Sequence, residues 1–177
     1  MENQNNSLNH LAMTYGLYMG LALVLNGVIF YVNGTPFSTY SGTITYAILI
    51  GGLIMTMRAY RSSHPEEGMT YGKALGLGTY TTFFASLILS FFTFILFKII
   101  DKTLLDKFLT FLEEQFLRSG MSESQTDTFM SMYRKLFTPL TYSLNMIFSV
   151  TFTGFVLSLI ISIFLKKQST NPFHGIE

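Results

Sequence analysis

From Leu11 to Met57 the chain carries no Asp, Glu, Lys or Arg. That is long enough for two crossings of a bilayer, since about 20 apolar residues span the hydrocarbon. Two more apolar runs follow, so four stand out: about 11–32, 40–57, 74–98 and 139–165, with only Lys98 charged, at one margin. Unpaired backbone groups are too costly in lipid for anything but a helix at each run. The sequence therefore predicts an all-α membrane protein, a single integral membrane domain over 1–177 with four transmembrane helices. Composition agrees: 12% of the residues are charged and 49% hydrophobic, where a soluble domain has about 25% charged. A net charge of +1 excludes a nucleic-acid binder that relies on bulk positive charge, and the absence of Cys excludes disulfide and thiolate-metal chemistry. The first run lacks a basic leader and a small-residue cleavage site, so it reads as a retained span.

Insertion energies rank the spans. Between Leu75 and Phe97 lie thirteen Leu, Ile and Phe, a gain of about −4 to −8 kcal/mol before polar costs. The second run has six such residues, about −2 to −4 kcal/mol, and is expected to insert as a pair with the first. Tyrosine takes the place of the missing Trp in an interfacial belt: Tyr15, Tyr18, Tyr60 and Tyr71 at one face, Tyr31, Tyr40, Tyr46 and Tyr142 at or near the other. Basic residues divide almost evenly between the two sides. The uncharged Thr35–Tyr40 turn, the Arg58-Ala59-Tyr60-Arg61 exit and Lys166-Lys167 together favour cytoplasmic termini.

Most of the charge sits between Lys98 and Phe137. This segment reads as an extramembrane amphipathic helical hairpin, about 99–138. Leu105, Phe108, Leu109, Leu112 and Phe116 form the apolar stripe of its first helix, and Phe129, Met132, Tyr133 and Leu136 that of its second. Gly120 is the expected left-handed stop. Ser122-Glu123-Ser124-Gln125 is a capping box, and Thr138-Pro139 an N-cap and first-turn proline for span four. With no Pro or Gly between them, span three and the first hairpin helix are expected to form one helix from about Lys73 to Arg118, roughly 70 Å long.

Met13-Thr14-Tyr15-Gly16-Leu17-Tyr18-Met19-Gly20-Leu21 and Met69-Thr70-Tyr71-Gly72-Lys73-Ala74-Leu75-Gly76-Leu77 are similar and suggest a parallel repeat. Small residues recur every four positions, and lipid tails give helices no hydrophobic reason to associate, so such rows mark close packing. Gly16, Gly20, Gly51, Gly72, Gly76, Gly78 and Gly154 are the candidate packing residues, within the bundle or at a homo-oligomer seam. Intramembrane polar residues are few. Asn26, Thr82, Ser86, Ser90 and Asn145 are the candidates for interhelical bonds or, in an oligomer, for lining a pore. No ionisable residue falls at mid-membrane, which speaks against a proton pump or intramembrane protease. His10, His64 and His174 are isolated, without metal-ligand spacing. The His64–Gly68 segment reads as a solvated turn. No catalytic motif and no cofactor or metal site is read; the protein is expected not to be an enzyme.

Several of these features, in this order and spacing, resemble a family. They are Tyr15-Gly16 with Gly20, Arg58-Ala59-Tyr60-Arg61, Tyr71-Gly72-Lys73-Ala74-Leu75, Gly120-Met121-Ser122-Glu123, Pro139, and Lys166-Lys167. Over nearly its whole length the chain resembles the small four-span bacterial membrane proteins catalogued as domain of unknown function 4199, known mainly from Bacteroidota. The resemblance implies a bacterial inner membrane and brings no activity and no catalytic residues. Two functions are expected from residues and resemblance together. One is a structural or accessory protein that binds a membrane-protein partner, or itself, through the hairpin; the other is an oligomeric small-solute permease or channel subunit.

Overall fold

A computed structural model of the chain describes residues 2–65 and 68–166, with side chains from residue 7 onward. Lys167, His174 and residues 66–67 of the His64–Gly68 segment lie outside the described residues. Among the described residues six α-helices follow in order: α1 Glu2–Val32, α2 Thr39–Ser63, α3 Tyr71–Ile95, α4 Leu104–Arg118, α5 Glu123–Leu136 and α6 Pro139–Leu165. Four of them are long and apolar enough to cross a membrane: α1, α2, α6, and α3 with its π-helical extension Leu96–Ile100.

Helix ends follow local chemistry. α1 stops where Gly34 takes φ +72 and Thr35 N–H returns to the Phe30 carbonyl at 3.0 Å. α4 stops in the same way at Gly120, φ +87, with Met121 N–H donating to the Phe116 carbonyl at 3.2 Å. Both are Schellman closures, which only a residue at ease with positive φ completes cheaply. Thr70 caps α3, Ser122 and Gln125 form the capping box of α5, and Thr138 caps α6 with Pro139 in its first turn.

α3 is the central helix, with α1 on one side and α6 on another. Its buried positions are mostly small: Ala74, Gly78, Thr81, Thr82, Ala85, Ser86 and Ser90. At one end of the bundle Ala12, Met57, Tyr60, Met69, Ala74 and Leu77 form a core cluster that needs both the early start of α1 and the late end of α2. α2 runs six residues past the expected Met57. Tyr60 is buried there beneath the His64 ring, 4.6 Å between centroids, and His64 Nε2 lies 3.2 Å from Ser7 Oγ on α1. His64 thus clasps two helix ends together.

The expected continuous helix from Lys73 to Arg118 is not formed. α3 widens into the π-turn, closed by Asp101 N–H to the Leu96 carbonyl at 2.8 Å, and Asp101 then takes an extended conformation, φ −132 ψ 92. Its carboxylate accepts from Thr103 N–H at 2.9 Å, Thr103 Oγ1 at 2.6 Å and Lys107 Nζ at 3.1 Å. An aspartate that bonds the backbone two residues on competes with the helix. Asp101-x-Thr103 was the breaker, and neither Gly nor Pro was needed.

Two tyrosines also depart from the expected belt. Tyr60 and Tyr142 face inward, at 1% and 9% exposure.

Candidate functional site

The α3–α6 seam is built from the two small-residue rows matched against each other. A methyl added at Gly78 would overlap Ser158 of α6, and one at Gly154 would overlap Thr82. Ser86 Oγ lies 3.1 Å from Thr151 Oγ1, and Ser90 Oγ donates to the Ser143 carbonyl at 2.7 Å. Thr82 donates to the Gly78 and Thr79 carbonyls of its own helix. Thr82, Ser86 and Ser90 are thus buried between helices.

The α1–α3 seam uses the first glycine pair. A Cβ at Gly16 would stand 2.7 Å from Phe84 Cβ and 2.8 Å from the Thr81 carbonyl; at Gly20 it would meet Ile88 at 2.9 Å. Gly51, Gly72 and Gly76 do not sit in such contacts: a methyl there meets nothing within 4 Å. On α2 it is Gly52 that faces a neighbour, the Met19 side chain. The two copies of the internal similarity also differ in setting. Thr14-Tyr15-Gly16 lies well inside α1, whereas Thr70 is the cap of α3.

Asn26 is buried and crosses from α1 to α2, its amide nitrogen donating to the Ser41 carbonyl at 3.3 Å and Thr45 Oγ1 at 3.1 Å. Asn145 is exposed on the outer side of α6.

At the far end of the bundle an aromatic cluster holds α4 down. Phe108 of α4 lies 5.3 Å from Phe37, in the α1–α2 loop, and 4.8 Å from Tyr142, which stacks on Phe97 at 4.8 Å. Such pairs each add about 0.5–1.5 kcal/mol beyond area burial. α4 buries Leu104 and Leu109 and half-buries Leu105, Phe108, Leu112 and Phe116, the face expected for it.

α5 differs. It buries Thr126 and Met130 and half-buries Tyr133, meeting α4 through Phe116–Tyr133 and the Glu113–Arg134 ion pair at 3.4 Å. Of its expected stripe Tyr133 packs and Phe129 touches Phe116 at the edge of the contact, 6.2 Å between centroids; Phe129, Met132 and Leu136 are 47%, 56% and 54% exposed. Sequence reasoning missed Thr126 and Met130, because a period of 3.6 allows a face one residue over and α4 decides between them. At the α3–α4 junction the Asp101 carboxyl is held below its ordinary value of 3.8, by the Thr103 hydroxyl first and Lys107 next.

The fold and seams define an all-helical protein with four helices able to cross a membrane, joined through small residues on a central third helix. The model of the family described as "Protein of unknown function (DUF4199)" matches residues 14–167, and the chain belongs to that family. Comparison with curated proteins and with solved structures gives no match.

Proposed function

We propose that this is a non-enzymatic accessory protein of the bacterial inner membrane, with both termini cytoplasmic. On this reading α4 and α5 form an extramembrane hairpin on the periplasmic side, and the outer face of α5 binds a membrane-protein partner. One observation carries the reading: Met132 and Leu136, with the exposed edge of Phe129 that Phe116 leaves uncovered, are exposed on a helix whose other face is already packed on α4. Leu117 of α4, 44% exposed, adds to the apolar surface of the pair. Apolar surface gathered outside the membrane marks a contact site. Six charged residues of the segment serve helix ends and helix pairing: Asp101 with Lys107, Glu114 with Arg118, Glu113 with Arg134. That use supports a binding role over a catalytic one. No observation favours a permease subunit, because the hydroxyls that would line its path lie inside the α3–α6 seam.

The test is a photo-crosslinking residue placed at Met132 in living cells, with one at Asp127 as control. A discrete protein adduct from position 132, lost when Phe129 and Leu136 are changed to Ser, is the expected result. Adducts to lipid alone, or none, would overturn the reading.

A further inference from the structure

Two hollows meet beside α4. The inner one, about 190 Å³, is walled by α1, α2, α3 and α6 and closed over by Phe37 and Leu104. The outer one, about 330 Å³, opens between α2 and α6 below Phe111 of α4. Pro36, Phe37, Ser41, Thr45 and Val150 belong to both. No Asp, Glu, Lys, Arg or His is among the described residues that line either of them.

Their chemistry is graded. The inner walls are mostly hydrocarbon and aromatic, including Leu23, Leu89, Phe92 and Met146, with Asn26, Ser41, Thr45 and Thr93 as uncharged polar groups among them. The outer walls bring uncharged hydroxyls from two helices, Ser41 and Tyr46 of α2 facing Ser149 and Thr153 of α6. Asn26 uses its amide nitrogen to hold α2, and its amide oxygen has no donor among the described residues. On either side of the opening stand exposed apolar side chains, Tyr46 on α2 and Phe148 and Phe152 on α6, so on the membrane reading the opening faces lipid.

We propose that this pair of hollows is a binding site for one hydrocarbon chain of an uncharged amphiphile, with the chain in the inner chamber and its hydroxyl or ester oxygens among Ser41, Ser149 and Thr153. A charged group inside would be buried without a counter-charge. A helix, about 10 Å across, is too wide for the chamber. The site rests on the four helices spanning a bilayer and not on partner binding by α5, so it stands or falls separately from that role.

Two glycines permit plugs that leave the backbone alone. A methyl at Gly27, in the chamber wall, meets only Phe92 at 3.9 Å; one at Gly42, in the outer hollow, meets nothing within 4 Å. The experiment uses the full chain in phosphatidylethanolamine nanodiscs and two probes. One is a monoacylglycerol with a diazirine near its chain end; the other is phosphatidylethanolamine with the same diazirine chain. After illumination, adducts are mapped by peptide mass spectrometry.

Adducts on Leu23, Leu89 or Met146 are expected, reduced about tenfold or more by Gly27→Leu, since a chain must then displace a side chain that fills the space. Gly42→Phe should reduce them as well, by closing the opening. Wall adducts with the monoacylglycerol uphold the site; wall adducts with the phospholipid probe alone would mean that a charged bilayer lipid occupies it and would overturn the uncharged occupant. Adducts confined to outward residues such as Phe152 and Ile160, or wall adducts unchanged in both variants, would overturn it.

Discussion

Thr82 of α3 lies against the bare Cα of Gly154 on α6, so closely that a methyl at Gly154 would overlap its side chain. The contact sits in the middle of the α3–α6 seam, with Gly78 and Ser158 on one side and Ser86 and Thr151 on the other. Gly154→Ala should therefore lower stability by about 1–3 kcal/mol, the usual cost of overpacking. Thr82→Ala in the same chain should recover most of it. Unfolding in mixed micelles checks both; a Gly154→Ala chain as stable as the wild type would remove the seam from the account.

The open glycines should behave in the opposite way. Gly76 lies inside α3 with nothing near its missing Cβ. Gly76→Ala should be neutral or stabilise by up to about 1 kcal/mol, the helix-propensity difference. Gly16→Ala, facing the Thr81 carbonyl and Phe84, should destabilise. Equal effects at the two positions in the same unfolding assay would contradict these packing assignments.

Asn26 ties α2 to α1 through Ser41 and Thr45. Asn26→Leu should cost about 1 kcal/mol, typical of an interhelical hydrogen bond in lipid. Thr45→Val should lose part of the same energy, so a double-mutant cycle should show coupling between the two positions. Strict additivity would mean that the bond contributes nothing.

Asp101 predicts a pH dependence. Its folded-state carboxyl is held below the ordinary value of 3.8 by the Thr103 hydroxyl and Lys107. A depressed value means the folded state favours the ionised form. The contribution is complete above the unfolded value and fades as pH falls through the folded one. Amide protection at Leu104–Lys107 should therefore drop on acidification below about pH 4, and Asp101→Asn should remove that dependence. The bonds of its carboxylate lie within the α3–α4 junction and the first turn of α4, so the spans should be unaffected.

What the sequence disclosed was local. The α6 boundaries, the Ser122 and Thr138 caps and the Gly120 stop were all legible, because each depends on a few adjacent residues. Facing was not. In lipid the outside of a bundle is as apolar as its inside, so hydropathy could not tell Gly51 from Gly52, or show that Tyr60 and Tyr142 turn inward. On α5 the choice between Phe129 and Met130 was made by α4, a tertiary partner. The break at Asp101 was legible in principle as Asp-x-Thr, but without Pro or Gly the segment read as continuous helix. Why Thr126 Oγ1, Ser158 Oγ and Ser162 Oγ are buried without a partner has no explanation in the packing.

The proposed role of α5 needs α4 and α5 outside the bilayer and across it from the end of α2. The chain has no cysteine, so single-cysteine variants report position cleanly. Gln125→Cys on α5 and Ser62→Cys at the end of α2 would be treated with a membrane-impermeant maleimide in intact spheroplasts and after lysis. The account predicts labelling of Gln125→Cys in intact spheroplasts and of Ser62→Cys only after lysis. Labelling of Ser62→Cys in intact spheroplasts, with Gln125→Cys protected, would contradict it.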